Sequence, residues 1–197
     1  NAKVSDTTII KKRKARVIYN VEENIPFRIG NISYEFEDTT LTHYVMRDTA
    51  RSLLIRGELI DMDVLTSERE RIENLIKNRG YFKFSKEEYL GFYLDSTKND
   101  KSVNIKLVLR KFNEVTPGGV VVETSHPRYK IGVVNINTAF KTQGVVSNIQ
   151  ALGNNHDTLK IDSINIIYSG PHNIKPNTLV SSTFLIPGEY YNQNNVS

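Results

Sequence analysis

Residues 53–64 read LLIRGELIDMDV, and residues 184–196 read FLIPGEYYNQNNV. Both set Leu-Ile-x-Gly-Glu ahead of a run that can open a helix. Upstream of each lies a matching start, PFRIGNI at 26–32 and PRYKIGVV at 127–134. Two matches in the same order make an internal repeat, and the repeat sets the size of the folding unit. The copies differ in length. Gly30 to Gly57 is 27 positions and Gly132 to Gly188 is 56, so the second copy carries 29 more. SINIIYSGPHNIKPNTLVSSTFLIPGE, ending at Glu189, nearly equals NISYEFEDTTLTHYVMRDTARSLLIRGE in length. The surplus therefore falls near 135–162, as an extended first strand or an extra hairpin with its tip near Gly153-Asn154-Asn155.

The first copy is complete. Ile32, Tyr34 and Phe36 alternate, which predicts a strand over about 27–36. Leu41, Tyr44, Val45 and Leu53 mark a helix over about 40–55, with Thr39 or Thr40 as its cap and Gly57 as its end. Asp61 or Asp63 can cap a second helix over about 63–78, whose stripe is Val64, Leu65, Ile72, Leu75 and Ile76. KNRGYFKF at 77–84 then changes character at one residue. Gly80 reads as the left-handed residue that closes the helix, and Tyr81 opens an aromatic run expected to be a strand over about 82–95. Val103, Ile105, Leu107 and Leu109 alternate in a third strand over about 102–112. The order is β-α-α-β-β, an α+β unit whose three-stranded mixed sheet is covered on one face by two helices.

Bulk properties fit two such modules. An apolar fraction of 39% and an aromatic fraction of 9% suit a globular core. Net charge is only +4, with 22 acidic residues dispersed among 26 basic ones. Only Lys11-Lys12-Arg13-Lys14-Ala15-Arg16 forms a basic cluster, so nucleic acid is not an expected partner. Cysteine is absent, which removes disulfides and thiolate metal sites. No apolar run approaches the roughly 18–20 residues of a membrane-spanning helix.

Leu-Ile-x-Gly-Glu before the second helix, Glu68-Arg69-x-x-Ile72 within it and Asn78-x-Gly80-Tyr81 after it resemble a POTRA domain. The whole set, with the YSG…IKP…PGEYYNQNNV stretch, is similar to the POTRA repeats of BamA/TamA-type outer-membrane β-barrel assembly factors, a family also labelled surface antigen. On this resemblance residues 1–23 are the terminal strand of a preceding repeat and 24–113 a complete repeat. Residues 114–125 are a linker, and 126–197 a second repeat cut off as its second helix begins. Gly57, Gly80, Tyr81 and Gly188 are its structural motif residues. The resemblance implies the periplasmic side of the outer membrane, a parent chain continuing to a membrane β-barrel, and partners that are unfolded β-barrel proteins and accessory subunits. It implies no enzyme activity and no cofactor. Adhesion to an external partner on a surface antigen is the alternative.

Catalytic readings find little support. His43, His126, His156 and His172 lack metal-binding spacing and read as solvated or turn residues. Asp61-Met62-Asp63 lacks the glycine and the twelfth-position glutamate of a calcium loop. Gly118-Gly119 has no phosphate-loop context. The functional candidate is the second strand. With the third strand at the centre of the sheet, the second lies at the edge, where Tyr89, Leu90, Gly91, Phe92, Tyr93 and Leu94 can accept an incoming strand by β-augmentation. Lys83, Lys86, Glu87 and Glu88 read as charges guarding the start of that edge.

Overall fold

The computed structural model describes residues 2–23, 25–96, 101–138, 157–168 and 174–196. It opens on a hairpin where the sequence suggested a single strand. β1 (Lys3–Lys11) pairs antiparallel with β2 (Lys14–Glu22) through a turn at Lys12 and Arg13, both at positive φ. The register sets Val4 opposite Val21, Asp6 opposite Tyr19, Thr8 opposite Val17 and Ile10 opposite Ala15 on one face of the ribbon.

The first module has the β-α-α-β-β order and the mixed sheet implied by the resemblance. β3 (Arg28–Phe36) runs parallel to the central strand β5 (Ser102–Leu109), and β4 (Leu90–Asp95) runs antiparallel to β5 on the other side. α1 (Thr39–Arg47) and α2 (Met62–Lys77) cover one face. Beneath them Leu41, Val45, Ile72, Ile76, Phe84, Leu107 and Leu109 form the main core, and Ile29, Leu54, Leu65 and Ile105 continue it. Burying a side chain of this size contributes about 1.5–3 kcal/mol, so these residues carry most of the module's stability.

Three local departures have physical causes. The first helix stops at Arg47, followed by a 3-10 turn over Thr49–Arg51, because the buried Glu68 carboxylate draws the next residues away. It accepts from Ser52 Oγ and Leu53 N, each at 2.9 Å. The cap of α1 is Asp38, which accepts from Thr40 N at 2.9 Å; Thr39 and Thr40 already lie inside the helix. Gly57 is therefore not a helix terminus. Residues 82–89 are not strand either, since Tyr81, Phe84 and Tyr89 turn into the core and Lys86–Tyr89 forms a single helical turn, α3. Aromatic content suggested a strand, but burial beneath the helices decided otherwise.

Past β5 the chain makes a second hairpin, β6 (Phe112–Val115) with β7 (Val121–Thr124), over most of the stretch the sequence suggests as a linker. The second sheet contains β8 (Val134–Asn137), β9 (Asp157–Ile161) and β10 (Ile164–Tyr168). Its order is β8-β10-β9, with β8 parallel and β9 antiparallel to β10, as in the first sheet. α4 (Pro176–Ser181) follows β10 and precedes the second Leu-Ile-x-Gly-Glu, as α1 follows β3 and precedes the first. The tip expected near Gly153 lies outside the described residues.

The repeat is also written in backbone hydrogen bonds. In the first module Gly57 N donates to Ile29 O, Ile29 N to Glu58 O and Ile60 N to Phe27 O. In the second, Gly188 N donates to Ile131 O, Ile131 N to Glu189 O and Tyr191 N to Tyr129 O. Gly57 and Gly188 both have φ of 90°, so the glycine of Leu-Ile-x-Gly-Glu is what lets that loop turn back on the first strand.

Candidate functional site

The direction of each β4 amide follows from one bond and the register. Arg110 N donates to Tyr89 O at 2.9 Å, and these residues extend the β4–β5 register by one pair. Hydrogen-bonded pairs in an antiparallel ladder recur every second residue. Gly91 and Tyr93 therefore turn their backbone groups toward β5. Leu90, Phe92 and Leu94 turn theirs toward the free edge, where the Leu90 N–H is already taken by Lys86 O. Among the described residues, what the edge offers is the N–H of Phe92 and Leu94 and the carbonyls of Leu90, Phe92 and Leu94.

Beside this edge runs a cleft of about 350 Å³ between β4 and α2. Met62, Leu65, Leu90, Phe92 and Leu94 give it an apolar stretch, while Arg69, Glu87, Glu88 and Arg110 line it with charge. Leu65 and Leu90 are buried, whereas Met62 and Leu94 are exposed, so the apolar surface opens to solvent. Tyr93 lies on the opposite face of the strand, where Arg110 Nη2 donates to its hydroxyl at 3.2 Å. Arg69 Nη2 donates to Lys86 O at 2.6 Å, and Lys86 Nζ reaches Glu70 at 2.7 Å. Glu70, by accepting that hydrogen bond, holds the Lys86 ammonium above its ordinary pKa.

Of the six edge candidates, Leu90 to Leu94 lie on β4. Tyr89 does not; its ring is core, and burial raises its phenol pKa. The charges expected to guard the edge lie off the strand. Lys86, Glu87 and Glu88 are on α3, where Lys86 ties that turn to α2, and Lys83 stands 5.7 Å above the Tyr129 ring.

A second set of residues joins the modules. Gly80, at φ of 100°, offers its carbonyl to Tyr129 N at 2.8 Å. Arg128 Nε donates to Arg79 O at 2.9 Å, and its guanidinium carbon lies 3.5 Å from the Tyr190 ring centroid. Phe82 meets Tyr129 and Tyr191 edge to face, and Asn194 N donates to Asn78 Oδ1 at 3.1 Å. KNRGYFKF is thus both the end of α2 and the seat of the next module.

His126 lies just upstream in this strap. Its backbone N–H donates to Asp38 Oδ2 at 2.7 Å, and its ring Nδ1 stands 2.8 Å from the same oxygen. Both residues are buried, so His126 is not the solvated residue expected. No spacing signal marked it. Glu68 had one, because it interrupts the stripe between Leu65 and Ile72; in the fold it also binds Arg71 at 2.8 Å. Among the described residues no group of His, Asp and Glu could hold a metal ion, and no helix is long and apolar enough to cross a membrane.

No family model matches the chain, and no curated protein matches it in sequence. Among solved structures it is similar to the crystal structure of Haemophilus influenzae BamA POTRA3-5, at 12% identity and a TM-score of 0.46. That match covers 99% of this chain and 57% of the other, so this chain spans little more than half its length.

Proposed function

We propose that this chain is a POTRA-type protein-binding region whose first module captures extended segments of unfolded outer-membrane β-barrel proteins. One observation carries the reading: β4 is an edge strand whose outward amides and carbonyls lie beside an open cleft with an apolar stretch. Backbone pairing is indifferent to sequence, as a receptor for many different strands requires. The cleft adds a selection. An incoming strand with alternating apolar residues would lay them against Met62, Leu65 and Leu94 and leave its polar residues in water, and transmembrane β-strands alternate in this way. The sequence resemblance to POTRA repeats supports the same reading and, with it, the periplasmic side of the outer membrane and assembly partners there.

The test is an amide NMR titration with a peptide of alternating apolar and polar residues. Pairing through a few exposed backbone groups predicts a Kd on the order of a millimolar, because ordering the peptide offsets most of the gain. Shifts are expected at Leu90–Leu94 and on the α2 residues Met62, Leu65 and Thr66. Shifts confined to α1 or to the β1–β2 ribbon would overturn the proposal.

A further inference from the structure

The strap from His126 to Tyr129 is hydrogen-bonded to the first module at three places: Asp38, the Arg79 carbonyl and the Gly80 carbonyl. Only the first contains a group that titrates near neutrality. The His126 ring stands among Phe84, Tyr89 and Phe112, with centroids 5.3, 4.6 and 5.6 Å away. Nδ1 faces the Asp38 carboxylate and so carries the proton. Nε2 is buried, with no hydrogen-bond partner among the described residues. A proton added there would place a charged N–H in an aromatic box with nothing to accept from it, an expensive state unless the box opens to water.

We propose that His126 is an acid-sensitive lock on the joint between the modules: neutral, it holds the strap to the first module, and protonated, it lets the strap go and the second module reorient. From the elements packed around the ring, the titratable side chains facing it are Asp38 and the Tyr89 phenol, while Phe84 and Phe112 are uncharged. Burial would raise the Asp38 carboxyl, but hydrogen bonds from Thr40 and His126 outweigh it and hold it below its ordinary 3.8, so Asp38 stays ionised while His126 titrates. Burial pushes His126 below its ordinary 6.5, against the pull of Asp38. A depressed pKa favours the neutral, locked form. The lock is therefore complete above 6.5 and is lost as pH falls through the lower folded value.

The chain has no cysteine, so Arg56→Cys with Phe184→Cys places one spin label on each module without competing sites. Pulsed dipolar distances, taken from about pH 7.5 to about pH 4.5, should give one narrow distribution that broadens in step with the His126 ring nitrogen shifts. Amide spectra should show both modules folded throughout. His126→Asn keeps a donor for Asp38 but takes no proton, and its distribution should not change with pH. Broadening in this variant with the wild-type midpoint would overturn the proposal. So would a wild-type distribution that stays narrow while the ring titrates, or a ring that takes no proton before the modules unfold. If His126→Asn is already broad at neutral pH, the wild-type comparison of ring and distance midpoints decides alone: coincidence supports the lock and separation refutes it.

Discussion

Replacing Leu94 by proline should weaken docking without weakening the fold, and replacing its neighbour Tyr93 should do the reverse. The β4–β5 ladder sends the Leu94 N–H outward and the Tyr93 N–H toward Lys106. Both side chains are exposed, 44% for Leu94 and 52% for Tyr93, so neither change opens a core cavity. Proline in place of Leu94 deletes an edge donor, and its ring crowds the incoming strand. One backbone hydrogen bond contributes about 0.5–1.5 kcal/mol net, so with the crowding Kd should rise about tenfold. Proline in place of Tyr93 instead leaves the Lys106 carbonyl without its donor inside the sheet, at a cost of about 1–3 kcal/mol in stability. Leu94→Ala and Tyr93→Ala remove the side chains alone and serve as baselines. Urea midpoints and NMR titrations on the four variants separate the two effects. If Leu94→Pro binds as Leu94→Ala does, or if both prolines lose binding at unchanged stability, strand pairing at this edge is refuted. The same alternation identifies Phe92→Pro as the edge variant and Gly91→Pro as the ladder variant, but Phe92 packs against both core clusters and would lose stability as well.

Gly80→Val should destabilise by about 1–3 kcal/mol, because a side chain at φ of 100° is strained and its Cβ would stand 3.3 Å from Tyr190. Gly91→Ala, whose Cβ meets nothing nearer than 3.9 Å, should leave the midpoint unchanged, and equal urea midpoints for the two would contradict this. Glu68→Ala should cost on the order of 3 kcal/mol, since it strands the Leu53 N–H and part of the Arg71 guanidinium inside the module. Glu68→Gln should recover part of that loss, and a melt unchanged in both variants would show that the Ser52–Leu53 turn is held by something else.

Elements whose pattern depends on their own neighbours were legible. The alternations of β3 and β5, the stripe of α2 and the positive-φ glycine after it depend on residues close in sequence. The twofold Leu-Ile-x-Gly-Glu was legible as a repeat, and the two modules close it with corresponding hydrogen bonds. Residues 82–89 were misread because Tyr81, Phe84 and Tyr89 carry strand propensity but turn into the core beneath the helices. Asp38 and His126, 88 positions apart, had no shared local pattern from which their contact could be read.

Gly80 shows why the joint was half visible. Its positive φ follows from helix geometry, and the sequence KNRG is enough to suggest it. The second constraint comes from the following module, whose Tyr190 side chain and Arg128 guanidinium stand 3.3 and 3.4 Å from where a Cβ would lie. A residue such as asparagine, which tolerates left-handed backbone, could therefore close α2 but would still press on Tyr190. Gly80→Asn should accordingly cost less stability than Gly80→Val while disturbing the joint, seen as amide shifts at Tyr129 and Tyr190–Tyr191. An Asn variant with wild-type shifts at those residues would mean that the Gly80 turn does not seat the second module in solution.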